Sequence, residues 1–365
     1  MLLGALGLPA FAARAAEPMR EMHDITGRAV RIPAVVRRMI VGDGRLMQVI
    51  AILEREAPFG RIVGWRDELR THDRGVHADY LRLYPQMQTL PDFGSPVRGG
   101  FDVEQAVALQ PDLVITSADP RLSPEAGGLL HRLTSVGIPV LLVDLRQAMT
   151  DITERSVRLL GEALGREERA EALIAYRAAQ IARVTGRLAQ APPRAPLVMF
   201  ERAAGRDINT CCETVGRGGF SWMIEQSGGE SLGARLLPAR GGLLSAEAVI
   251  EARPEIVIMA GSNYPEEAPA RISLGPGTDM ALARQRMRRL LERPAYRAMA
   301  VTRTGRIHGI WNQFATSPYH FVAIQVMAKW LHPDRFLDLD PDATFREFHE
   351  RFLPFPYRPG YWVSL

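Results

Sequence analysis

The sequence contains one internal repeat, whose two copies lie 143 residues apart. Residues 101–115 align without a gap with residues 244–258, and each copy has a segment of helical period, a proline and then an apolar run. A helix that leads into a buried strand is the basic unit of an α/β sheet. The two copies therefore predict two α/β lobes of similar build and argue against one small compact module.

Residues with known positional preferences mark the helix ends inside this repeat. Asp102 and Ser245 are suited to N-capping, because their side-chain oxygens can accept hydrogen bonds from free backbone N–H groups. Pro111 and Pro254 stop the two helices, since proline disfavours the helical conformation of the residue before it. The same signals at the same offset predict equivalent helices in the two lobes.

Short β-branched runs surround both copies of the repeat. They cover residues 35–41, 61–65 and 138–144 in the first half, and 196–202 and 306–310 in the second. Buried strands that alternate with segments of helical period are typical of parallel sheets covered by helices on both faces. The predicted fold class is α/β, with two doubly wound, Rossmann-like lobes.

The segment between the two groups of strands has the period of one long helix. Apolar residues recur at steps of three and four, which predicts an amphipathic helix over residues 167–190, roughly 36 Å long. A single rigid helix resists wide hinge opening, so we expect a largely preformed ligand cleft between the lobes. The predicted organisation is a signal peptide (1–15), an N-terminal lobe (16–147), linking helices (148–191) and a C-terminal lobe (192–365).

The N-terminus has two features of a secretory signal. Residues 2–13 form an apolar run too short to span a bilayer, and Ala13-Arg14-Ala15 has the small-x-small spacing that signal peptidase accepts. We therefore predict export to the periplasm as a soluble monomer.

The formal net charge is only +4, from 45 basic and 41 acidic residues, which disfavours a nucleic-acid partner.

The sequence lacks the motifs of the common enzyme classes. It has no Gly-x-Ser-x-Gly, no His-Glu-x-x-His and no Walker A lysine, so no catalytic residue and no cofactor is predicted. His72 and His77 are spaced to face different sides of a helix, and no metal site is predicted. Cys211 and Cys212 are adjacent, and adjacent cysteines do not easily reach the geometry of a relaxed disulfide.

The chain resembles the class III periplasmic substrate-binding proteins of ABC importers over nearly its whole mature length. The resemblance rests on Arg38-Met-Ile-Val41, Arg61-Ile-Val-Gly-Trp65, residues 101–115, the long linking helix and the phrase from Ala328 to Phe336. It implies a binding protein that delivers a ferric siderophore, haem, cobalamin, molybdate or tungstate to an inner-membrane permease dimer. A periplasmic enzyme on the same scaffold is the alternative, because a fold does not fix a function.

The resemblance also assigns a role to one glutamate in each lobe. In this family a glutamate at the start of a helix in each lobe contacts arginines of the two permease subunits. The repeat aligns Glu104 with Glu247 at these positions. Each glutamate also favours its own helix N-terminus electrostatically, and the two roles are compatible.

Candidate ligand-binding residues follow the predicted strands, because ligands of open α/β sheets bind beyond the carboxyl ends of the strands. They are Arg45, Trp65, Arg66, Arg98, Arg202, Arg206, Trp311, Tyr319 and His320.

The chemistry of these candidates favours one class of cargo. Guanidinium groups pair with carboxylates, catecholates and oxyanions, and aromatic walls cover a bulky chelate. The combination favours an anionic metal chelate such as a ferric siderophore. Molybdate or tungstate, held by backbone donors around Gly42-Asp43-Gly44, is the main alternative. Cobalamin, and haem ligated by Tyr319 or His320, stay open.

Overall fold

A computed structural model describes residues 18–93, 101–118, 124–145, 151–202, 204–206, 211–263 and 270–365. The predicted signal peptide and Arg98 lie outside these residues. Within the described segments, no helix is both long enough and apolar enough to cross a membrane.

The N-terminal lobe is built on a four-stranded parallel sheet with the order β4-β3-β5-β6, preceded by an antiparallel hairpin of β1 and β2. The strands are β1 (Met19–His23), β2 (Ala29–Pro33), β3 (Met39–Val41), β4 (Ile62–Trp65), β5 (Leu113–Ser117) and β6 (Val140–Val143). The helices are α1 (Met47–Leu53), α2 (Leu69–His72), α3 (Arg74–Leu83), α4 (Val103–Ala108) and α5 (Pro124–Ser135). Strand β3 is shorter than the predicted 35–41, because Val35 is exposed and the chain bends before Met39.

Two helices carry the chain from the first sheet to the second. These are α6 (Asp151–Leu164) and α7 (Glu167–Gln190), and the bounds of α7 confirm the predicted amphipathic helix. Its buried positions include Leu173, Ile174 and Val184, which recur with the helical period.

The C-terminal lobe has a five-stranded sheet with the order β13-β12-β11-β7-β9, in which only β13 at the edge is antiparallel. Its strands, together with the separate antiparallel pair β8 and β10, are β7 (Leu197–Glu201), β8 (Glu213–Val215), β9 (Glu230–Ser231), β10 (Gly241–Leu243), β11 (Ile256–Gly261), β12 (Ile307–Trp311) and β13 (Trp362–Ser364). Its helices are α8 (Gly219–Gln226), α9 (Leu232–Leu236), α10 (Ala246–Ala252), α11 (Met280–Leu291), α12 (Pro294–Ala298), α13 (Val301–Thr304), α14 (His320–Leu331) and α15 (Pro341–Phe352). The two mainly parallel sheets confirm the predicted fold class.

The internal repeat is a structural repeat. Asp102 caps α4 by accepting from the backbone N–H of Gln105 at 3.0 Å, and Ser245 caps α10 by accepting from that of Ala248 at 3.1 Å. The equivalence extends to the residue before each proline: Gln110 and Arg253 both adopt a positive φ, of 45° and 53°. The predicted N-caps are therefore confirmed.

The two lobes share one hydrophobic core. A single cluster of buried residues runs from the N-terminal sheet through α7 into the C-terminal sheet, with Leu141, Leu173 and Val198 as members from each part. The C-terminal segment extends this contact, because the ring of Phe355 packs edge-on against Tyr80 of α3 at a centroid distance of 5.2 Å. Beside it, Arg358 Nη2 donates to Asp79 Oδ2 at 2.8 Å.

Candidate ligand site

The carboxyl ends of the two sheets meet at the backbone of His72, the last residue of α2. The His72 carbonyl oxygen accepts from Ser262 Oγ at 2.5 Å and from Gln313 Nε2 at 3.1 Å. Ser262 directly follows β11 and Gln313 lies two residues after β12, whereas α2 follows β4. The strand ends of both lobes therefore face one region, as the predicted cleft requires.

On the N-terminal side of this region, Asp43 and Ser117 link two neighbouring strands. Asp43 follows β3, and its Oδ2 accepts from Ser117 Oγ, at the end of β5, at 2.5 Å. The turn is tight: a Cβ on Gly44 would lie 2.0 Å from the carbonyl oxygen of Arg66, so only glycine fits there. Close packing thus fixes the loop after β3 against the loop after β4.

Two arginines converge on one carboxyl group in the same place. Arg45 Nη2 lies 2.9 Å from Glu68 Oε1, and Arg66 Nη1 lies 3.1 Å from the same oxygen. Arg45 also donates from its backbone N and from Nε to Asp43 Oδ1, at 3.1 and 3.3 Å. The side chains of Arg45 and Arg66 are 18% and 21% exposed, while that of Glu68 is only 4% exposed. We call Asp43, Arg45, Arg66, Glu68 and Ser117 the strand-end cluster.

The two carboxyl groups of the strand-end cluster have opposite proton affinities. Burial opposes ionisation of Asp43, but the Arg45 guanidinium and the hydrogen bonds to its oxygens outweigh burial and hold the pKa of Asp43 well below its usual range. Burial and then the nearby Asp43 charge raise the pKa of Glu68 to about 8, against the attraction of Arg45 and Arg66. At neutral pH Asp43 is ionised and Glu68 is largely protonated.

On the C-terminal side, two arginines share another carboxylate. Arg202 Nη2 lies 2.5 Å from Glu213 Oε1, and Arg206 Nη1 lies 3.0 Å from Glu213 Oε2. Their side chains are 44% and 55% exposed. Both guanidinium groups follow β7 and are accessible to solvent, and their assignment to the ligand site stays a prediction.

Two adjacent cysteines lie just before β8. The structure joins Cys211 and Cys212 in a disulfide. The two cysteines are thus paired, although neighbours do not easily reach the geometry of a relaxed disulfide, and Cys212 is fully buried in the core of the lobe.

The predicted aromatic walls of the site are part of the hydrophobic core. Trp65, Trp311 and Tyr319 are 1%, 0% and 3% exposed. Trp65 packs edge-on against Phe59, and Trp311 contacts Tyr319 and Tyr361 among other rings. Each of the three rings packs into the core in this structure, and their assignment to a ligand wall stays a prediction.

His320 is also a core residue. Its Nε2 accepts from Arg177 Nε at 3.0 Å, and its Nδ1 bonds to the carbonyl oxygen of Ser317 at 3.0 Å. The side chain is fully buried. Both ring nitrogens have protein partners in this structure, and the assignment of His320 to the ligand site stays a prediction. Among the described residues, no group of three or more His, Cys, Asp or Glu side chains could hold a metal ion.

Glu104 and Glu247 lie in the first turns of α4 and α10, and both side chains are exposed.

The ligand-binding residues predicted from the sequence do not include Glu68 and Ser117, although both lie within three residues of a strand end. An acidic residue two positions after Arg66, in the loop after β4, is the one available signal for Glu68.

Comparison with known proteins places this architecture in a family. The sequence model of the periplasmic binding proteins matches residues 61–311. The molybdate-binding protein MolA of Haemophilus influenzae is 21% identical over 362 residues, which cover 93% of this chain and 92% of MolA.

Solved structures share the fold at similar identity. The TroA-like periplasmic binding protein FepB from Veillonella parvula superposes with a TM-score of 0.85 at 21% identity, over 95% of this chain and all of FepB. MolA bound to molybdate gives 0.70 at 20% identity, over 93% and 99% of the two chains. A periplasmic heme-binding protein from Pseudomonas aeruginosa gives 0.58 at 19% identity, over 82% and 94%.

The family match covers more than two thirds of the chain, and it agrees with two mainly parallel sheets whose carboxyl ends face each other. Periplasmic binding proteins carry substrates to the permeases of ABC transporters. This chain belongs to the periplasmic binding protein family.

Proposed function

We propose that this protein carries a small oxyanion of the molybdate class in the cleft between its lobes and delivers it to an ABC permease. The observation that carries this choice of cargo is the burial of Trp65, Trp311 and Tyr319. A bulky chelate needs an apolar wall, and these rings are not available to form one. Small, polar and cationic groups occupy the described strand ends instead.

The composition of the strand-end cluster supports a compact anion. Arg45 and Arg66 supply guanidinium donors from two neighbouring loops, and the Ser117 hydroxyl donates to Asp43 beside them. Arginine forks match the oxygens of an oxyanion in geometry and in charge. The likeness to MolA over nearly the whole chain agrees with this class of cargo.

A ferric chelate is the second candidate. The exposed guanidinium groups of Arg202 and Arg206 favour it, because they lie on the opposite lobe and could reach a larger anion. Haem is disfavoured, since Tyr319 and His320 are both buried.

A ligand panel separates these candidates. We expect molybdate or tungstate to raise the melting temperature, because a ligand that binds only the folded state stabilises it. Arg66→Ala should abolish this shift, whereas Arg70→Ala, which removes a mostly exposed guanidinium from the same loop region, should retain it. A shift with ferric siderophores and none with oxyanions would replace the proposed cargo.

Glu104 and Glu247 are proposed as the permease contacts. Each is an exposed anion on an equivalent short helix, one per lobe, which suits a partner with two similar subunits. The double variant Glu104→Arg/Glu247→Arg should lose transport while cargo affinity is unchanged. Glu251→Arg, on the exposed face of α10, is the matched control. Normal uptake by the double variant would contradict this role.

We expect the exported protein to act as a monomer, without catalytic activity.

A further inference from the structure

The two oxygens of Glu68 are in different environments. Oε1 contacts both Arg45 and Arg66, at 2.9 and 3.1 Å. Oε2 is buried and has no hydrogen-bond donor among the described residues. A buried carboxylate oxygen without a donor is costly, so an ionised Glu68 is poorly accommodated.

The neighbouring carboxyl group of Asp43 offers the buried Glu68 side chain a hydrogen-bond partner. The Asp43 and Glu68 carboxyl groups are close enough to shift each other's pKa, and a hydrogen bond between them requires a proton on one of the two groups. Both Asp43 oxygens already accept hydrogen bonds, Oδ1 from Arg45 and Oδ2 from Ser117. The proton therefore belongs to Glu68, in agreement with its pKa of about 8.

The charge of the strand-end cluster depends on this proton. The charged groups that face Glu68 from the described elements are Asp43, Arg45 and Arg66. With Glu68 protonated, the two guanidinium charges exceed the one carboxylate, and the cluster is cationic. With Glu68 ionised, the cluster is neutral and the carboxylate competes with any anion for the two guanidinium groups.

Resting on the proposed oxyanion cargo, we propose that Glu68 is a positioning residue that must be protonated for the cargo to bind, so that the protein takes up an anion and a proton together. The protonated carboxyl bonds to Asp43 and leaves Arg45 and Arg66 free to turn donors toward the oxyanion. Glu68 itself does not contact the cargo. This coupling sets the pH range in which the cleft is loaded.

The test is molybdate binding by titration calorimetry from about pH 6 to about pH 9.5. Molybdate keeps its charge in this range, so a change in affinity reports on the protein. The wild-type dissociation constant should be constant below about pH 8 and rise about tenfold per pH unit above it, since one proton is linked to binding. Glu68→Gln, which is permanently neutral, should bind as the wild type does at low pH and show no such rise.

A second measurement counts the proton directly. At about pH 9, titrations in buffers of different ionisation enthalpy should show uptake of about one proton per molybdate by the wild type and none by Glu68→Gln. Glu54→Gln is the matched control, because Glu54 is also a buried carboxylate between two arginines, Arg61 and Arg166, but lies at the end of α1. It should titrate like the wild type.

The possible failures are distinguishable. If molybdate binds the wild type with the same affinity across the pH range, or if Glu68→Gln keeps the pH dependence, the coupling is wrong and the proposed cargo stands. If molybdate does not bind at any pH, the proposed cargo is wrong and the coupling is refuted with it. Carbon-13 NMR of the unliganded protein checks the proton itself, and a Glu68 carboxyl that titrates below about pH 6 would overturn the inference whatever the cargo.

Discussion

Replacing Arg293 with Met tests how strongly a buried ion pair holds the C-terminal lobe together. Arg293 Nη1 and Nη2 donate to Glu201 Oε1 and Oε2, at 2.7 and 2.6 Å, and the hydroxyl of Tyr296 also donates to Oε2. Arg293 and Glu201 are 5% and 2% exposed, and Tyr296 is fully buried. Glu201 is the last residue of β7, so this pair lies directly beside the strand end that leads to Arg202.

The cost of the change follows from these contacts. Each hydrogen bond to a charged group contributes roughly 1.5–3 kcal/mol, and Arg293→Met removes two of them. It also leaves the Glu201 carboxylate buried without its counter-charge, and breaking a buried pair in this way costs about 3–5 kcal/mol. We therefore expect Arg293→Met to lower the free energy of unfolding by about 3–5 kcal/mol. The double variant Glu201→Met/Arg293→Met should lose less, because no unpaired charge is left.

Urea unfolding followed by circular dichroism measures this loss. Arg194→Met is the control, because Arg194 makes the same two-point contact with Glu255, at 2.8 and 2.5 Å, but on the surface. Solvent screens that pair, so its removal should change stability far less. Equal losses for the two single variants would refute the argument from burial, and so would a double variant less stable than Arg293→Met.

Two further predictions concern stability. Lys329, the only lysine in the chain, donates from Nζ to the carbonyl oxygens of Phe336 and Leu339, at 3.2 and 2.6 Å. Lys329→Arg should lower the free energy of unfolding by about 1–2 kcal/mol in urea titrations, because a planar guanidinium does not converge on both oxygens as a point donor does. Unchanged stability would count against this argument. Burial, and then the Arg306 charge, lower the pKa of His308 to about 3. Below about pH 6.5 the unfolded chain therefore binds a proton at this residue that the folded protein does not bind. The free energy of unfolding should fall by about 1.4 kcal/mol per pH unit between about pH 6.5 and about pH 3. His308→Phe, which keeps a ring stacked on Trp330, should reduce that slope in urea titrations at each pH, and an unchanged slope would assign the acid sensitivity to other groups.

The parts of the fold that depend on local sequence were predictable. The bounds of α7 follow from apolar period alone, and the caps of α4 and α10 follow from Asp102 and Ser245. The repeat made the equivalent helix and strand of the second lobe predictable from the first. The positive φ shared by Gln110 and Arg253 was not predicted, because no sequence rule indicated it. The exact limits of the lobes stay a prediction.

The site was less predictable, because its side chains depend on packing between distant loops. Trp311 ends a strand, and the period of a strand does not say whether its last side chain turns toward the cleft or the core. One of the rings that bury it, Tyr361, lies fifty residues further along the chain. Glu68 joins Asp43 only because the loops after β3 and β4 fold together, and that contact has no signature in either loop alone.

The contact of the C-terminal segment with α3 has a consequence for folding. Phe355 packs on Tyr80, Arg358 pairs with Asp79, and Arg55 Nε donates to the carbonyl oxygen of Leu353 at 3.1 Å. The N-terminal lobe is thus completed by residues about 280 positions further along the chain. Its surface around α3 is covered only when that segment packs on it, so each lobe depends on the other for a complete fold.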